Sequence, residues 1–193
     1  FDLPYRRLAD AVEEAYAAGL FGMNILGSGF SCDIVVYRGA GAYVAGEASG
    51  LISSLEGKKG YPRNRPPRLT VKGLYQRPTV VNNVESLSNI AWIINNGADA
   101  FKAVGTPKSP GTRLFSVSGH INRPGVYEVE LGYPWMKFLD EDCGGVPHGR
   151  AIKCVVPGGV SSKVLTGADI ANLKLSHEDL WDAGSTLGSG GMI

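Results

Sequence analysis

The sequence has few cysteines, no long apolar run and no surplus of charge. Its three cysteines, Cys32, Cys143 and Cys154, form no CxxC pair, so they offer neither a metal-ligand spacing nor an even set for disulfides. No apolar run reaches the roughly 18 residues of a membrane-spanning helix. With 19 Lys and Arg against 18 Asp and Glu, the net charge of +1 gives no long-range attraction to nucleic acid. We therefore expect an intracellular protein with no nucleic-acid partner and no direct membrane insertion.

The chain also lacks an initiator methionine and a signal-peptide pattern at Phe1. The last residues, Gly190 to Ile193, look like the beginning of a strand. We therefore expect the sequence to be an internal piece of a longer protein. Its 193 residues, of which 44% are hydrophobic, suffice for one large domain or two small ones.

The first half of the chain predicts helices separated by glycine-rich and proline-rich segments. Helical spacing and capping residues favour helices over 2–18, 49–55 and 83–95, the last with an Asn82/Glu85 capping box. The apolar run of Asp33 to Tyr37 predicts a strand buried on both faces. Lys58 to Arg68 is basic and rich in proline, which predicts a stiff, exposed loop.

The second half predicts a small domain with strands. Residues 106–111 form a linker, and the strand patterns of 113–121 and 126–131 flank a turn, which predicts a β-hairpin. A short helix over 134–141 and strands over 151–156 and 163–165 follow, and Ser176 is expected to cap a last helix. The order of strand, strand, helix, strand, strand suits a β-grasp unit.

The segment Gly39 to Gly46 follows the predicted strand and precedes a predicted helix, which is where α/β proteins approach phosphates and flat cofactors. It does not match the dinucleotide fingerprint GxGxxG, because Val44 stands where the third glycine is required. From the residues alone, a cofactor loop and a tight structural turn remain equal alternatives.

Short motifs in one order along nearly the whole chain carry a family resemblance. They are Asn24 to Phe30, Arg38 to Tyr43, Gly46-Glu47, Ser54 to Gly57, Pro62-Arg63, Pro66-Pro67, Pro78-Thr79, Asn82 to Glu85, Phe115 to His120, Asn122 to Tyr127, Pro157 to Gly159 and Gly188 to Gly191. This set resembles the 51 kDa, NuoF-type flavoprotein subunit of respiratory complex I. Related flavin subunits of NAD-dependent hydrogenases and formate dehydrogenases share these motifs.

The resemblance implies an NADH dehydrogenase that passes a hydride from NADH to FMN and then single electrons to a [4Fe-4S] cluster. The cluster ligands of the family would lie after Ile193, so no metal ligand is expected here, and this piece alone should be inactive. Implied partners are other NADH dehydrogenase subunits, especially the 24 kDa-type iron–sulfur subunit. The implied location is cytoplasmic, peripheral to the inner membrane. The rivals are a non-catalytic binding or assembly paralogue and the diaphorase subunit of a hydrogenase or formate dehydrogenase.

The resemblance also implies an α/β fold with an inserted β-grasp (SLBB-like) domain. Residues 1–108 would be the C-terminal half of the FMN-binding domain. Residues 109–172 would be the insert, and residues 173–193 would return toward the iron–sulfur domain.

Particular residues match the family's site. The resemblance assigns FMN binding to Gly41, Tyr43, Gly46, Glu47, Asn82, Asn83 and Ser86, a catalytic role to Glu47, and NADH binding to Arg65. Each of the polar residues has a plainer interpretation: Glu47 as an acid that stabilises a helix N-terminus, Asn82 as a helix cap, and Arg65 as a solvated loop residue.

Two positions depart from the family pattern. The paired acids of the family are represented by Glu47 followed by Ala48, and the aromatic residue after the two prolines is replaced by Arg68. The loss of an acid and of a stacking ring weakens ordinary NADH binding, whereas an arginine favours another anionic ligand.

Overall fold

A computed structural model describes residues 2–193, which form two compact units, one ending at Asn83 and one running from Val84 to Ile193. Helices and strands are mixed along the chain, as an α/β protein requires. The helices are α1 (Asp2–Ala17), α2 (Ala48–Leu55), α3 (Val84–Asn96), α4 (Ala98–Lys102), α5 (Trp135–Lys137), α6 (Gly167–Ile170) and α7 (His177–Asp182). The strands are β1 (Thr112–Val117), β2 (Gly125–Glu130), β3 (Cys154–Val155), β4 (Leu165–Thr166) and β5 (Gly191–Met192).

The first unit contains α1, α2 and long irregular segments. No described side chain of α1 is buried, and Gly19, at φ +71°, follows its end in the left-handed conformation that glycine adopts without strain. Apart from Gly73, the buried residues of this unit lie on α2 and are Ser49, Gly50, Ile52 and Ser53. The helices predicted at both places are confirmed, and so is the irregular loop from Lys58 to Arg68.

The strand predicted for Asp33 to Tyr37 is wrong. The segment has no regular structure, and the Val35 side chain is 86% exposed. Within residues 2–193 no strand pairs with it, so its backbone N–H and C=O groups form no β-sheet hydrogen bonds. The hydroxyl of Tyr16 holds the start of the segment instead, donating to Asp33 Oδ1 at 3.0 Å and accepting from the Ile34 N–H at 2.9 Å. An apolar run of this length does not by itself distinguish a strand from a loop.

The second unit holds the hydrophobic core. Strands β1 and β2 pair antiparallel from Thr112 opposite Glu130 to Val117 opposite Gly125, which confirms the predicted hairpin, and β5 adds to β1 in parallel. Phe115 and Phe138 are fully buried with ring centres 6.0 Å apart. A fully buried aromatic side chain of this kind contributes about 3–5 kcal/mol to stability.

The later elements of this unit are shorter than predicted. Strands β3 and β4 have two residues each and pair with one another. The expected helix after Pro134 consists of α5 followed by a wide turn over Phe138–Asp142. Ser176 caps α7 as predicted, because its hydroxyl accepts from the Asp179 N–H at 3.1 Å.

Two glycine motifs that lie far apart in sequence touch through their backbones in this unit. A Cβ on Gly158 would lie 2.5 Å from the carbonyl carbon of Leu187 and 2.7 Å from the nitrogen of Gly188. A Cβ on Gly188 would lie 2.1 Å from the carbonyl oxygen of Gly158. Both motifs, Pro157 to Gly159 and Gly188 to Gly191, therefore need glycine for packing, independently of any ligand.

Candidate functional site

Glu47 caps the N-terminus of α2. Its backbone is extended, at φ −76° and ψ 133°, and Oε2 accepts hydrogen bonds from the backbone N–H groups of Ser49 at 2.9 Å and Gly50 at 2.8 Å. The Ser49 hydroxyl donates to the same oxygen at 2.5 Å. Three donors thus hold one carboxylate oxygen, and the helix-capping interpretation of Glu47 describes a contact that is present.

The second carboxylate oxygen of Glu47 faces the proline-rich loop. Arg65 Nη2 lies 3.3 Å from Glu47 Oε1, and the two side chains keep 57% and 40% of their surface exposed. The hydrogen bond from the Ser49 hydroxyl is the main reason that the pKa of Glu47 lies below its usual value, followed by the Gly50 N–H, with Arg65 adding a smaller Coulombic contribution. Glu47 is therefore a fixed anion at neutral pH.

The segment before Glu47 presents bare backbone and one exposed ring. Gly41 has φ +78°, and no heavy atom lies within 4 Å of a Cβ placed on Gly41 or on Gly46. The Tyr43 side chain is 91% exposed at the start of a single 3₁₀ turn that ends at Gly46. A flat molecule can approach this backbone closely, because no side chain of residues 2–193 occupies the space beside either glycine.

An ion-pair network that the sequence did not predict fixes the proline-rich loop to α2. Arg63 donates from its backbone N–H to Ser49 Oγ at 2.8 Å and from Nε to Ser53 Oγ at 3.1 Å, and its Nη2 lies 2.9 Å from Glu56 Oε2. Glu56 also pairs with Lys58 at 2.7 Å. Its side chain is only 3% exposed.

Hydrogen bonding lowers the pKa of Glu56. The bond from Lys58 contributes most and the Tyr75 N–H next, and together with Arg63 they bring the pKa to about 2. Glu56 and Arg63 lie inside two of the motifs that carried the resemblance, Ser54 to Gly57 and Pro62-Arg63. Their opposite charges were the available signal, but the sequence does not indicate that they meet.

A groove of about 620 Å³ opens between the start of α2 and the proline-rich loop. Ala48, Arg65 and Arg68 line it, together with an apolar wall that includes Leu69, Val80 and Val81. The two positions that depart from the family pattern, Ala48 and Arg68, thus face one cavity, and they share it with the predicted NADH-binding residue.

The remaining predicted residues lie around the start of α3. Asn82 and Asn83 precede its first residue, Val84, and Ser86 lies in its first turn, all three with exposed side chains. Glu85 Oε1 accepts a hydrogen bond from the Leu114 N–H at 2.9 Å. The first turn of α3 therefore supplies polar groups at a helix N-terminus, where backbone N–H groups lack helical partners.

Comparison with known proteins bears on these features. Residues 3–92 match the model of the Nuo51 FMN-binding domain. The NuoF-type subunit of NADH-quinone oxidoreductase from Mycobacterium tuberculosis is 50% identical over 184 residues, which is 95% of this chain and 41% of that protein. One such subunit from Rhizobium meliloti is 42% identical over 188 residues, covering 97% of this chain and 44% of that protein.

The chain belongs to the family of NuoF-type flavoprotein subunits. It spans about two-fifths of the length of the curated relatives it matches. Among solved structures, the crystal structure of an NAD⁺-reducing [NiFe]-hydrogenase in the H₂-reduced state matches with a TM-score of 0.72 and 39% identity. That match covers 84% of this chain and 27% of the hydrogenase chain.

For this NuoF-type chain, the structure brings together Glu47 and Arg65, and Gly46 precedes Glu47 in the sequence. Gly41 and Tyr43 lie on the exposed segment that leads to them, and Asn82, Asn83 and Ser86 form a separate group at the start of α3. None of the helices within residues 2–193 combines the length and the apolar character that crossing a bilayer demands.

Proposed function

We propose that this chain carries the flavin and dinucleotide contacts of the NADH-oxidising, FMN-containing subunit of a respiratory-type NADH dehydrogenase. The observation that supports this most directly is the fixed Glu47 anion between the open glycine segment and the arginine-lined groove. In the whole protein, FMN held by these residues would take a hydride from NADH and would pass single electrons on to a [4Fe-4S] cluster.

The residues before Glu47 fit a flat cofactor. The open space beside Gly41 and Gly46 accepts an isoalloxazine ring at backbone distance, and the exposed Tyr43 ring offers a surface for stacking. FMN, when bound, supplies the ability to accept two electrons together and to release them one at a time. This chain contributes the surface that orients it.

The start of α3 fits the polar side of FMN. Asn82 and Asn83 supply amide donors and Ser86 a hydroxyl, beside a helix N-terminus whose N–H groups favour an anion. In this proposal they contact the ribityl chain and the phosphate.

Glu47 and Arg65 fit the dinucleotide side. Because Ser49 and Gly50 fix Oε2, the orientation of the carboxylate is set before any ligand arrives. Oε1 then accepts a hydrogen bond from the nicotinamide nucleotide, while Arg65 retains N–H donors for a phosphate group. Glu47 is in this scheme the catalytic residue that touches the reacting nucleotide.

The second unit supports a β-grasp insert of the SLBB type. Its antiparallel hairpin β1–β2 joins β5 in parallel, and helices α5 to α7 lie between β2 and β5 in sequence. We retain the division into residues 1–108, 109–172 and 173–193 as part of this proposal. The proposed partners are other NADH dehydrogenase subunits, in particular the 24 kDa-type iron–sulfur subunit, at the cytoplasmic face of the inner membrane.

The test uses the full-length gene product that contains this chain. We expect it to purify with bound FMN, seen as flavin absorption bands in its visible spectrum. We also expect it to reduce ferricyanide when a nicotinamide dinucleotide is supplied. A colourless protein without dinucleotide oxidation would instead support an assembly paralogue. Purification together with a hydrogenase or a formate dehydrogenase subunit would support the diaphorase alternative, which the structural similarity to the NAD⁺-reducing hydrogenase favours.

A charge substitution separates the flavin contacts from folding. Asn82→Asp changes little volume but places a carboxylate at the proposed phosphate contact, so we expect about tenfold weaker FMN retention. Asn172→Asp is the matched control, because Asn172 is exposed and lies outside the proposed site. Equal FMN content in the two variants would contradict the assignment of Asn82.

A further inference from the structure

The groove beside α2 carries an unbalanced positive charge. Arg65 and Arg68 both line it, and no carboxylate stands among its lining residues. Glu47 is the neighbouring acid, and it pairs with Arg65, so its charge does not offset that of Arg68. Within residues 2–193, Arg68 forms no ion pair, so its guanidinium remains available to an anion.

The size and walls of the groove fit part of a nucleotide. Its volume of about 620 Å³ lies in the range of small-molecule sites. Leu69, Val80 and Val81 supply an apolar wall for a flat base, while the guanidinium groups supply forked donors for a phosphate group. One ligand with a base and a phosphate monoester satisfies both features.

The residue at position 48, an alanine, lines the same groove. A carboxylate accepts hydrogen bonds from the two hydroxyls of an unmodified ribose and repels a phosphate at the same place. The Ala48 methyl group does neither. An arginine in such a position instead accommodates a phosphate on the 2′-hydroxyl.

We propose that Arg68 forms a phosphate subsite that takes the 2′-phosphate of NADPH, next to the contact of Arg65 with the dinucleotide. This rests on the proposed function, since it assigns which nicotinamide dinucleotide the site oxidises. The full-length protein then uses NADPH at least as well as NADH, with Ala48 and Arg68 as specificity-determining residues.

The kinetic test compares kcat/KM for NADPH and NADH in the full-length, FMN-loaded protein, with ferricyanide as acceptor. Arg68→Gln keeps much of the side-chain length but removes the charge. We therefore expect the ratio of kcat/KM for NADPH to kcat/KM for NADH to fall about ten- to hundredfold, because KM for NADPH rises. Arg68→Lys should recover part of the ratio, because it restores the charge without the fork. Ala48→Glu should reverse the preference toward NADH. Arg7→Gln, on the exposed face of α1, is the control and should leave the ratio unchanged.

A binding test does not depend on turnover. Titration calorimetry with 2′,5′-ADP and with 5′-AMP should give at least about tenfold tighter binding of 2′,5′-ADP, and Arg68→Gln should abolish the difference. The preference should weaken as salt is raised, because it is electrostatic.

The outcomes separate the two proposals. Selective binding of 2′,5′-ADP without oxidation of either dinucleotide retains the phosphate subsite and rejects the proposed function. Oxidation of NADH with a strong preference over NADPH, together with equal binding of the two nucleotides, rejects the subsite and retains the function. If Arg68→Gln lowers FMN retention and leaves the ratio unchanged, the groove holds the flavin phosphate and the inference is wrong.

Discussion

Glu47 Oε1 lies 3.3 Å from Arg65 Nη2, so this contact joins the N-cap of α2 to the proline-rich loop across 18 residues of sequence. The same carboxylate caps the helix through Oε2. Helix start and loop position are therefore coupled through one side chain, and a change in either alters the charge that the site presents.

The first prediction concerns the charge of Glu47. Ser49→Ala removes the hydroxyl that is the largest cause of its low pKa, so the pKa of Glu47 should rise more than in Arg65→Gln, which removes a smaller contribution. The measurement is an NMR titration of the carboxyl carbon in protein labelled at glutamate. Ser54→Ala, on the same helix, is the control. A larger rise in Arg65→Gln would show that the ion pair, and not the cap, sets the charge.

The second prediction concerns Glu56 and pH. Its pKa falls from 4.5 to about 2 on folding, so its stabilising contribution is fully present above pH 4.5 and is lost as the pH falls through about 2. Glu56→Gln resembles the protonated form, so the gap in unfolding free energy between wild type and variant should be largest above pH 4.5 and close near pH 2. Urea unfolding at several pH values measures this gap. Glu13→Gln, on the exposed surface of α1, serves as the control. If the gap in unfolding free energy stays constant down to pH 2, Glu56 has the same pKa in the folded and unfolded states and the prediction is wrong.

The third prediction concerns the contact between the two glycine motifs. Gly158→Ala forces a methyl group against the backbone of Thr186, Leu187 and Gly188, and overpacking of this kind costs about 1–3 kcal/mol. Gly125→Ala is the matched control, because its added Cβ meets only the Tyr127 ring at an ordinary distance of 3.6 Å. Chemical unfolding compares the two variants. Equal stabilities would show that the contact relaxes at no cost.

The fourth prediction concerns thiol reactivity. Cys143 is fully buried, and burial is the main cause that raises its pKa to about 11, whereas Cys154 is exposed. An aromatic disulfide reagent at pH 8 should therefore modify Cys154 quickly and Cys143 only after unfolding. Cys154→Ser should remove a fast phase, and rapid modification of Cys143 in the native protein would contradict its burial.

Local chemistry made much of the fold predictable. The hydroxyl of Ser176 and the glycine after α1 act within one helical turn, so their effects are visible in a short window of sequence. The hairpin β1–β2 follows from two strand patterns and the turn between them. Such features depend on neighbours in the chain, which the sequence states directly.

The site was predictable only in part, because its key contacts join distant segments. The sequence indicated Glu47 and Arg65 one at a time, but their 3.3 Å approach depends on how the proline-rich loop folds back. The pairing of Arg63 with Glu56 depends on the same fold and was missed. The false strand at Asp33 to Tyr37 has a related cause, since a strand requires a partner that its own residues do not specify.

Glu178 makes a further contact between distant segments, because it binds Thr106 and Ser109. Its carboxylate accepts from the Thr106 hydroxyl and from the Ser109 hydroxyl, each at 2.5 Å, and the Ser109 oxygen accepts from the His177 N–H at 3.1 Å. Ser109 and Glu178, which are 69 residues apart in sequence, are therefore in direct contact. The two ends of the segment between these residues are tied together by one side chain, while β1 inside the segment also pairs with β5 outside it.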